Sequence, residues 1–373
     1  MRILAIKLKQ IGDTLLWEPA LRRIKETFPD SELWVLTNSY SFPVIKNAPY
    51  VNEFLVFDKK KGLLHTFKFL KKLRKISFDI VINFSPGDRS HLFSFFVKGK
   101  EKFSYYSAKK AGVQKKIFSN VFTPPDTHTV LQDLWLVNQI FNLKLTSPKV
   151  NLYLNDEVLN KAEKILKRFG IEKNNFVCVH PVAKWFLKCW KPEYYGEIMS
   201  FFVKNGLQVV ITSGKSQKEL SFVENILKNT NPKLIKEKRV VNLAGILSID
   251  ELGGILYFSK VFFGIDTAPM HMAAALNKPV IAIFGPTGKH NWGPWDNDVT
   301  WESYESPYLK RGIQNLGKHL VIQKDWPCIP CGGKENLCSC DITQPKCLFE
   351  LKSTEVINYL IHFNQLNFVH LTL

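Results

Sequence analysis

The sequence predicts an α/β protein of two doubly wound lobes, each a parallel sheet covered by helices on both faces. Three observations lead there. The 373 residues exceed one ordinary domain and suit two of roughly 100–200 residues. Short apolar runs of strand length alternate with segments of helical spacing, the pattern of parallel sheets. The series also starts afresh after Thr146-Ser-Pro-Lys149, which puts a boundary within 146–155. Lobes are therefore expected over 1–150 and 151–350, with a helical segment over 351–373.

Arg2 to Leu8 is apolar enough for a buried parallel strand. The turn Gln10-Ile-Gly12-Asp13 follows, then helical spacing from Thr14 to Phe28. Glu32–Thr37 and Phe78–Phe84 predict further strands. Gly62–Ile76 predicts a basic amphipathic helix whose Leu/Phe face either packs on the sheet or meets an anionic membrane surface. In the second series Asn155–Phe169 predicts a helix, Phe176–His180 a strand, Glu193–Asn205 a helix and Leu207–Thr212 a strand. Lys260–Gly264 and Pro279–Phe284 are strands with a helix between them, and Ser353–Phe363 is a final helix.

A composition of 45% hydrophobic and 23% charged residues supplies two cores and argues against large-scale disorder. No apolar run approaches the roughly 18–20 residues of a spanning helix. Arg2, Lys7, Lys9 and Asp13 interrupt any signal-peptide core, so a cytoplasmic location is expected. The seven cysteines then read as thiols or metal ligands rather than disulfides. Of the net charge of +18, residues 1–150 hold +13, with 25 Lys and Arg against 12 Asp and Glu. Such a basic half implies an anionic partner: nucleic acid, an acidic membrane or an anionic substrate. A nucleic-acid-binding protein is disfavoured because no recognition module is present. A dinucleotide-dependent oxidoreductase is disfavoured because no GxGxxG follows the first strand.

Chemistry-bearing residues gather in the loops that follow strands. In Val261-Phe-Phe-Gly264-Ile-Asp266-Thr267-Ala268-Pro269-Met-His271 a strand delivers an acid and a hydroxyl to a helix start. Free amides and the helix dipole make such a start a phosphate site, and Thr267 and His271 share a face. The bland alternative is a capped helix with His271 satisfied in the core. The loop Phe284-Gly285-Pro-Thr287-Gly288 to Trp295 lies where doubly wound sheets bind ligands, or is a rigid connection. Lys184 and Lys188 follow another strand and either neutralise a diphosphate or are solvated. Glu219 either accepts from ribose hydroxyls or begins a helix. Gly12 permits a tight turn, and Asp13 is either an N-cap or a base.

Together these features resemble glycosyltransferase family 9, which contains the ADP-heptose:lipopolysaccharide heptosyltransferases. The resemblance is carried by Ile3 to Lys7, Ile11-Gly12-Asp13, Pro19-Ala20-Leu21, Lys188-Cys-Trp190, Gly264-Ile-Asp266-Thr267 through His271, and Ile283-Phe-Gly285-Pro-Thr287. It implies a GT-B fold: two Rossmann-like lobes facing a cleft, with a C-terminal helix returning to the first lobe. It implies inverting transfer of heptose from ADP-L-glycero-D-manno-heptose to the inner core of lipopolysaccharide. The acceptor would be a lipid-anchored anionic saccharide met at the inner face of the cytoplasmic membrane, with transient surface contact and no nucleic acid. By this resemblance Asp13 is the base and Lys188 offsets charge on the departing ADP. Gly12, Lys184, Glu219, Asp266, Thr267, Ala268, His271, Gly285 and Thr287 bind the donor. The family commonly has Gly where this chain has Ala268, which leaves another nucleotide sugar as the alternative donor.

No cofactor is expected for catalysis, and no Asp-x-Asp metal motif stands at a strand end. Five cysteines fall between Cys328 and Cys347. Cys328, Cys331, Cys338 and Cys347 form a set able to hold a structural zinc; reduced thiols or a disulfide are the alternative, since the later spacings make no second CxxC.

Overall fold

The computed structural model describes residues 1–332, 340 and 345–363. The chain divides into two compact units, Met1–Tyr153 with Thr300–Glu305, and Leu154–Val299 with Ser306–Leu373. No described helix is long and apolar enough to cross a membrane.

The first unit runs β1 (Arg2–Ile6), α1 (Ile11–Leu15), α2 (Glu18–Thr27), β2 (Glu32–Asn38), β3 (Glu53–Phe57), α3 (Gly62–Arg74), β4 (Ser77–Asn83), α4 (Asp88–Phe96), β5 (Lys98–Tyr105), α5 (Ala111–Ile117), β6 (Asn120–Phe122) and α6 (Thr129–Phe141). Its six strands are all parallel in the order β3-β2-β1-β4-β5-β6. The single helix expected over Thr14–Phe28 is instead two. Pro19, which has no N–H to give a preceding turn, occupies the start of α2. Strand β1 is buried from Ile3 to Ile6, so its run is continuously apolar rather than alternating. Helix α3 seats Phe69 and Leu73 against Leu55, Phe57 and Phe78. Leu63, Leu64 and Phe67 of the same helix are exposed, so only part of the expected Leu/Phe face packs inward.

The second unit runs α7 (Asp156–Phe169), β7 (Phe176–His180), α8 (Pro192–Lys204), β8 (Gln208–Ile211), α9 (Gln217–Lys228), α10 (Pro232–Lys236), β9 (Val240–Asn242), α11 (Ile249–Phe258), β10 (Val261–Ile265), α12 (Ala268–Ala275), β11 (Val280–Ile283), α13 (Lys289–Trp292), β12 (Gln314–Leu316), β13 (His319–Ile322), α14 (Lys346–Phe349) and α15 (Ser353–Ile361). The sheet order is β12-β13-β11-β10-β7-β8-β9, parallel except for the edge strand β12. Helix α7 begins where the Asn155 side chain accepts from Val158 N at 3.0 Å, and ends at Gly170 with φ +68°. Those are the N-cap and left-handed C-terminal positions that such residues favour. Of the C-terminal segment expected over 351–373, residues 364–373 lie outside the described residues. Helix α15 packs against α8, placing Val356 and Leu360 in the second core; Thr300–Glu305 is the segment that joins the first unit.

Candidate active site

In an open parallel sheet the crevice for ligand opens where strand order reverses. In the second sheet that point lies between β7 and β10: from β7 the chain builds outward through β8 and β9, and from β10 through β11 and β13. Gly264 makes the junction close. A Cβ there would lie 2.6 Å from His180 O on the neighbouring strand. The loops leaving β7 and β10 therefore meet, and Lys188 Nζ contacts Asp266 Oδ2 at 2.6 Å. Asp266 is buried and Lys188 is half-buried. One ion-pair contact leaves further Nζ–H donors on Lys188 for a ligand.

The capping alternative for this segment is not realised. Thr267 occupies the N-cap position of α12, but its side chain makes no cap hydrogen bond. Pro269 has no N–H, and Met270 N is already bonded to Thr267 O at 3.0 Å. The amides left at this helix start are thus narrowed to those around Ala268. His271 is buried, and its Nδ1 has no hydrogen-bond partner among the described residues, so it is not a satisfied core histidine. Burial pushes its pKa down to about 4, against the opposing effect of the Asp266 charge. The Thr287 hydroxyl is a second buried polar atom without a described partner. Its loop is fixed from behind, where Gln323 Nε2 donates to Gly285 O at 2.9 Å and Thr287 O at 2.8 Å. Gly285 abuts Leu348, which a Cβ would approach to 2.6 Å.

Glu219 is the third residue of α9 and closes a capping box: its Oε2 accepts from Ser216 Oγ at 2.6 Å and Ser216 N at 3.3 Å. Helix initiation, one of its two expected roles, is therefore real, with Oε1 left to accept elsewhere. Its charge reaches Cys189, whose thiol is pushed up to about 11 mainly by burial; the start of α9 is thus beside the loop after β7. Lys184 is exposed. Cys331 is buried, Cys347 is buried within the second core, and Cys328 packs against that core. Cys338, one of the four expected zinc ligands, lies outside the described residues. Among the described residues no group of three or more His, Cys, Asp or Glu side chains is placed to hold a metal.

The reversal point of the first sheet lies between β1 and β4, and Asp13 follows β1 as the third residue of α1. The N-cap is Gln10, so Asp13 caps nothing. Gly12 is buried at the second position of α1. Beneath this turn Lys7 pairs with Asp133 of α6, both buried, and Tyr105 Oη donates to Asp133 Oδ1 at 3.1 Å. Burial raises the Tyr40 phenol, reinforced by the Asp13 charge, while Arg89 opposes it. Sequence reasoning did not find Asp133, Tyr105, Tyr40 or Arg89. The signal available was an acid inside the apolar helix Thr129–Phe141, since such an acid is seldom buried unless paired.

Two Rossmann-like sheets, the second with convergent polar loops at its reversal point, define the GT-B class of glycosyltransferases. The glycosyltransferase family 9 (heptosyltransferase) model matches residues 66–319, and the chain belongs to that family. It is 28% identical over 323 residues to lipopolysaccharide heptosyltransferase 3 of Escherichia coli K12, covering 83% of this chain and 91% of that one. Its fold matches E. coli ADP-heptose lps heptosyltransferase II with a TM-score of 0.74 at 18% identity, over 97% and 98% of the two chains. It also matches E. coli heptosyltransferase WaaC with ADP-2-deoxy-2-fluoro heptose, TM-score 0.68 at 15% identity, over 97% and 99%.

Proposed function

We propose that this chain transfers heptose, with inversion, from ADP-L-glycero-D-manno-heptose to the inner core of lipopolysaccharide at the inner face of the cytoplasmic membrane. The observation that carries the reading is the Lys188–Asp266 pair at the reversal point of the second sheet, whose charges reach the buried His271 with its unpartnered Nδ1; the loop after the next strand adds the unpartnered Thr287 hydroxyl. Buried polar atoms cost free energy unless a partner satisfies them, and a sugar diphosphate offers partners of both kinds. The similarity to lipopolysaccharide heptosyltransferase 3, and the likeness to a structure holding an ADP-heptose analogue, support that donor.

In this reading Asp13, which caps no helix, takes the proton from the acceptor hydroxyl as it attacks the anomeric carbon. Lys188 offsets the charge that grows on the departing ADP, and Asp266 holds Lys188 in place and binds sugar hydroxyls. The Ala268 amide, with Thr267 and Thr287, holds the diphosphate. Lys184 adds charge at the rim, and Glu219 Oε1 accepts from the ribose. The +13 of residues 1–150 suits an acceptor rich in phosphate and carboxylate.

One residue keeps a second donor sugar in view: Ala268, which stands where the family commonly has Gly. Donor screening tests both readings. ADP-heptose and several hexose nucleotides are incubated with a truncated core acceptor, and nucleotide release is followed. Release from ADP-heptose alone supports the proposal; release from a hexose nucleotide in preference replaces the donor.

A further inference from the structure

Residues 59–75 contain eight Lys and Arg and no Asp or Glu. Within this stretch the first turns of α3 expose Leu63 by 89%, Leu64 by 72% and Phe67 by 69%. The opposite side of the helix seats Phe69 and Leu73 in the core, so α3 is held firmly while Leu63, Leu64 and Phe67 point to solvent. Helix α3 packs beside α4, and α4 beside α5. Helix α4 adds Phe95, 61% exposed, with Leu92, and α5 adds Val113. Lys68 and Lys71 follow Phe67 along α3, and Lys109 and Lys116 flank Val113 in the sequence. Exposed Leu and Phe on a segment this rich in cations suit an interface: the apolar groups enter the boundary of the acyl chains and the ammonium groups meet anionic headgroups. An anionic saccharide or a nucleic acid would use the lysines but would leave Leu63, Leu64 and Phe67 in water.

The position of this surface matters. Strand β3 ends at Phe57 on the same sheet edge as the β1–α1 turn, and Phe57 stacks on His65 of α3 with ring centroids 5.7 Å apart. Lys59 Nζ lies 5.9 Å from the centroid of the Tyr40 ring, beside which Asp13 stands. We infer that the α3 face, extended by Phe95 and Val113, docks the first unit on an anionic lipid bilayer, so that a lipid-anchored acceptor reaches Asp13 without leaving the membrane. The biological sense of this docking rests on the acceptor proposed above; its physics does not.

The test is flotation of the full chain with phosphatidylcholine vesicles, with and without phosphatidylglycerol, in the absence of donor and acceptor. Wild type is expected to float with the anionic vesicles about tenfold or more in excess of the neutral ones, and less as salt rises. The exposed triple variant Leu63→Ser/Leu64→Ser/Phe67→Ser is expected to lose about tenfold of that binding while keeping its thermal unfolding midpoint. Lys68→Glu/Lys71→Glu, which changes no packing, should lose it as well. Turnover of a detergent-soluble truncated acceptor should be unchanged in both. Equal binding to neutral vesicles, full binding by the triple variant, or binding of RNA but not vesicles would overturn the inference. Loss of self-association in the triple variant, with a wild type that ignores vesicles, would overturn it in favour of a second copy. Vesicle binding together with failure of donor screening would leave the docking surface standing and the proposed transfer refuted.

Discussion

Lys188 and Asp266, 78 residues apart in sequence, meet at 2.6 Å because each follows one of the two strands that flank a strand-order reversal. The pair joins the two loops into one polar surface and keeps a lysine oriented at the place where an open sheet takes its ligand. A charge-assisted contact to a departing diphosphate contributes on the order of 1.5–3 kcal/mol. Lys188→Ala is therefore expected to weaken ADP binding by roughly 10- to 100-fold, measured by calorimetry. Unchanged affinity would remove its proposed role at the diphosphate.

Asp13 makes a separate prediction. Since it is not the N-cap of α1, Asp13→Asn should leave stability within about 0.5 kcal/mol of wild type. Turnover should fall by about 10²–10⁴-fold, the usual worth of a positioned base, with ADP affinity nearly intact. A variant that turns over normally would leave Asp13 without a catalytic part.

Buried histidines predict a loss of stability in acid. His180 and His271 are held at about 4 by burial, against about 6.5 in an unfolded chain. Between these values the unfolded chain binds protons that the folded one does not. Their contribution is thus complete above about pH 6.5 and is lost as pH falls toward 4, by about 1.4 kcal/mol per unit for each histidine. Urea unfolding of wild type and His271→Gln over that window checks this. Parallel curves for the two would contradict a neutral, buried His271.

Gly264 carries a packing prediction. Its α-hydrogen faces His180 O across the central strand pair, where a Cβ would approach to 2.6 Å. Backbone in the middle of a sheet gives little, so Gly264→Ala should cost about 1–3 kcal/mol or more. The denaturation midpoint reads this directly.

Much of the protein was legible in the sequence because parallel strands buried on both faces are written as short apolar runs. Phe176–His180 and Val261–Ile265 stand out for that reason, as does the Ile11-Gly12-Asp13 turn that follows the first such run. Local chemistry marked Lys188, Asp266 and Thr267, since each lies in a loop just past a strand. What local pattern could not decide was which loops meet. Strand order is fixed by the pairing of segments remote in sequence, and only that order brings Lys188 to Asp266 and Lys7 to Asp133. Glu219 differs, because its helix-starting role is local: Ser216 and Glu219, three residues apart, close a capping box written in the sequence itself, which leaves the second carboxylate oxygen open to a ligand. Helix α3 again depended on tertiary structure: its composition was plain, but which of its Leu and Phe side chains faced the sheet depended on the packing of Phe69 and Leu73 against it. The sequence by itself determined the elements and the residue types at their ends; tertiary structure decided their partners, because pairing and burial are properties of segments brought together across the chain.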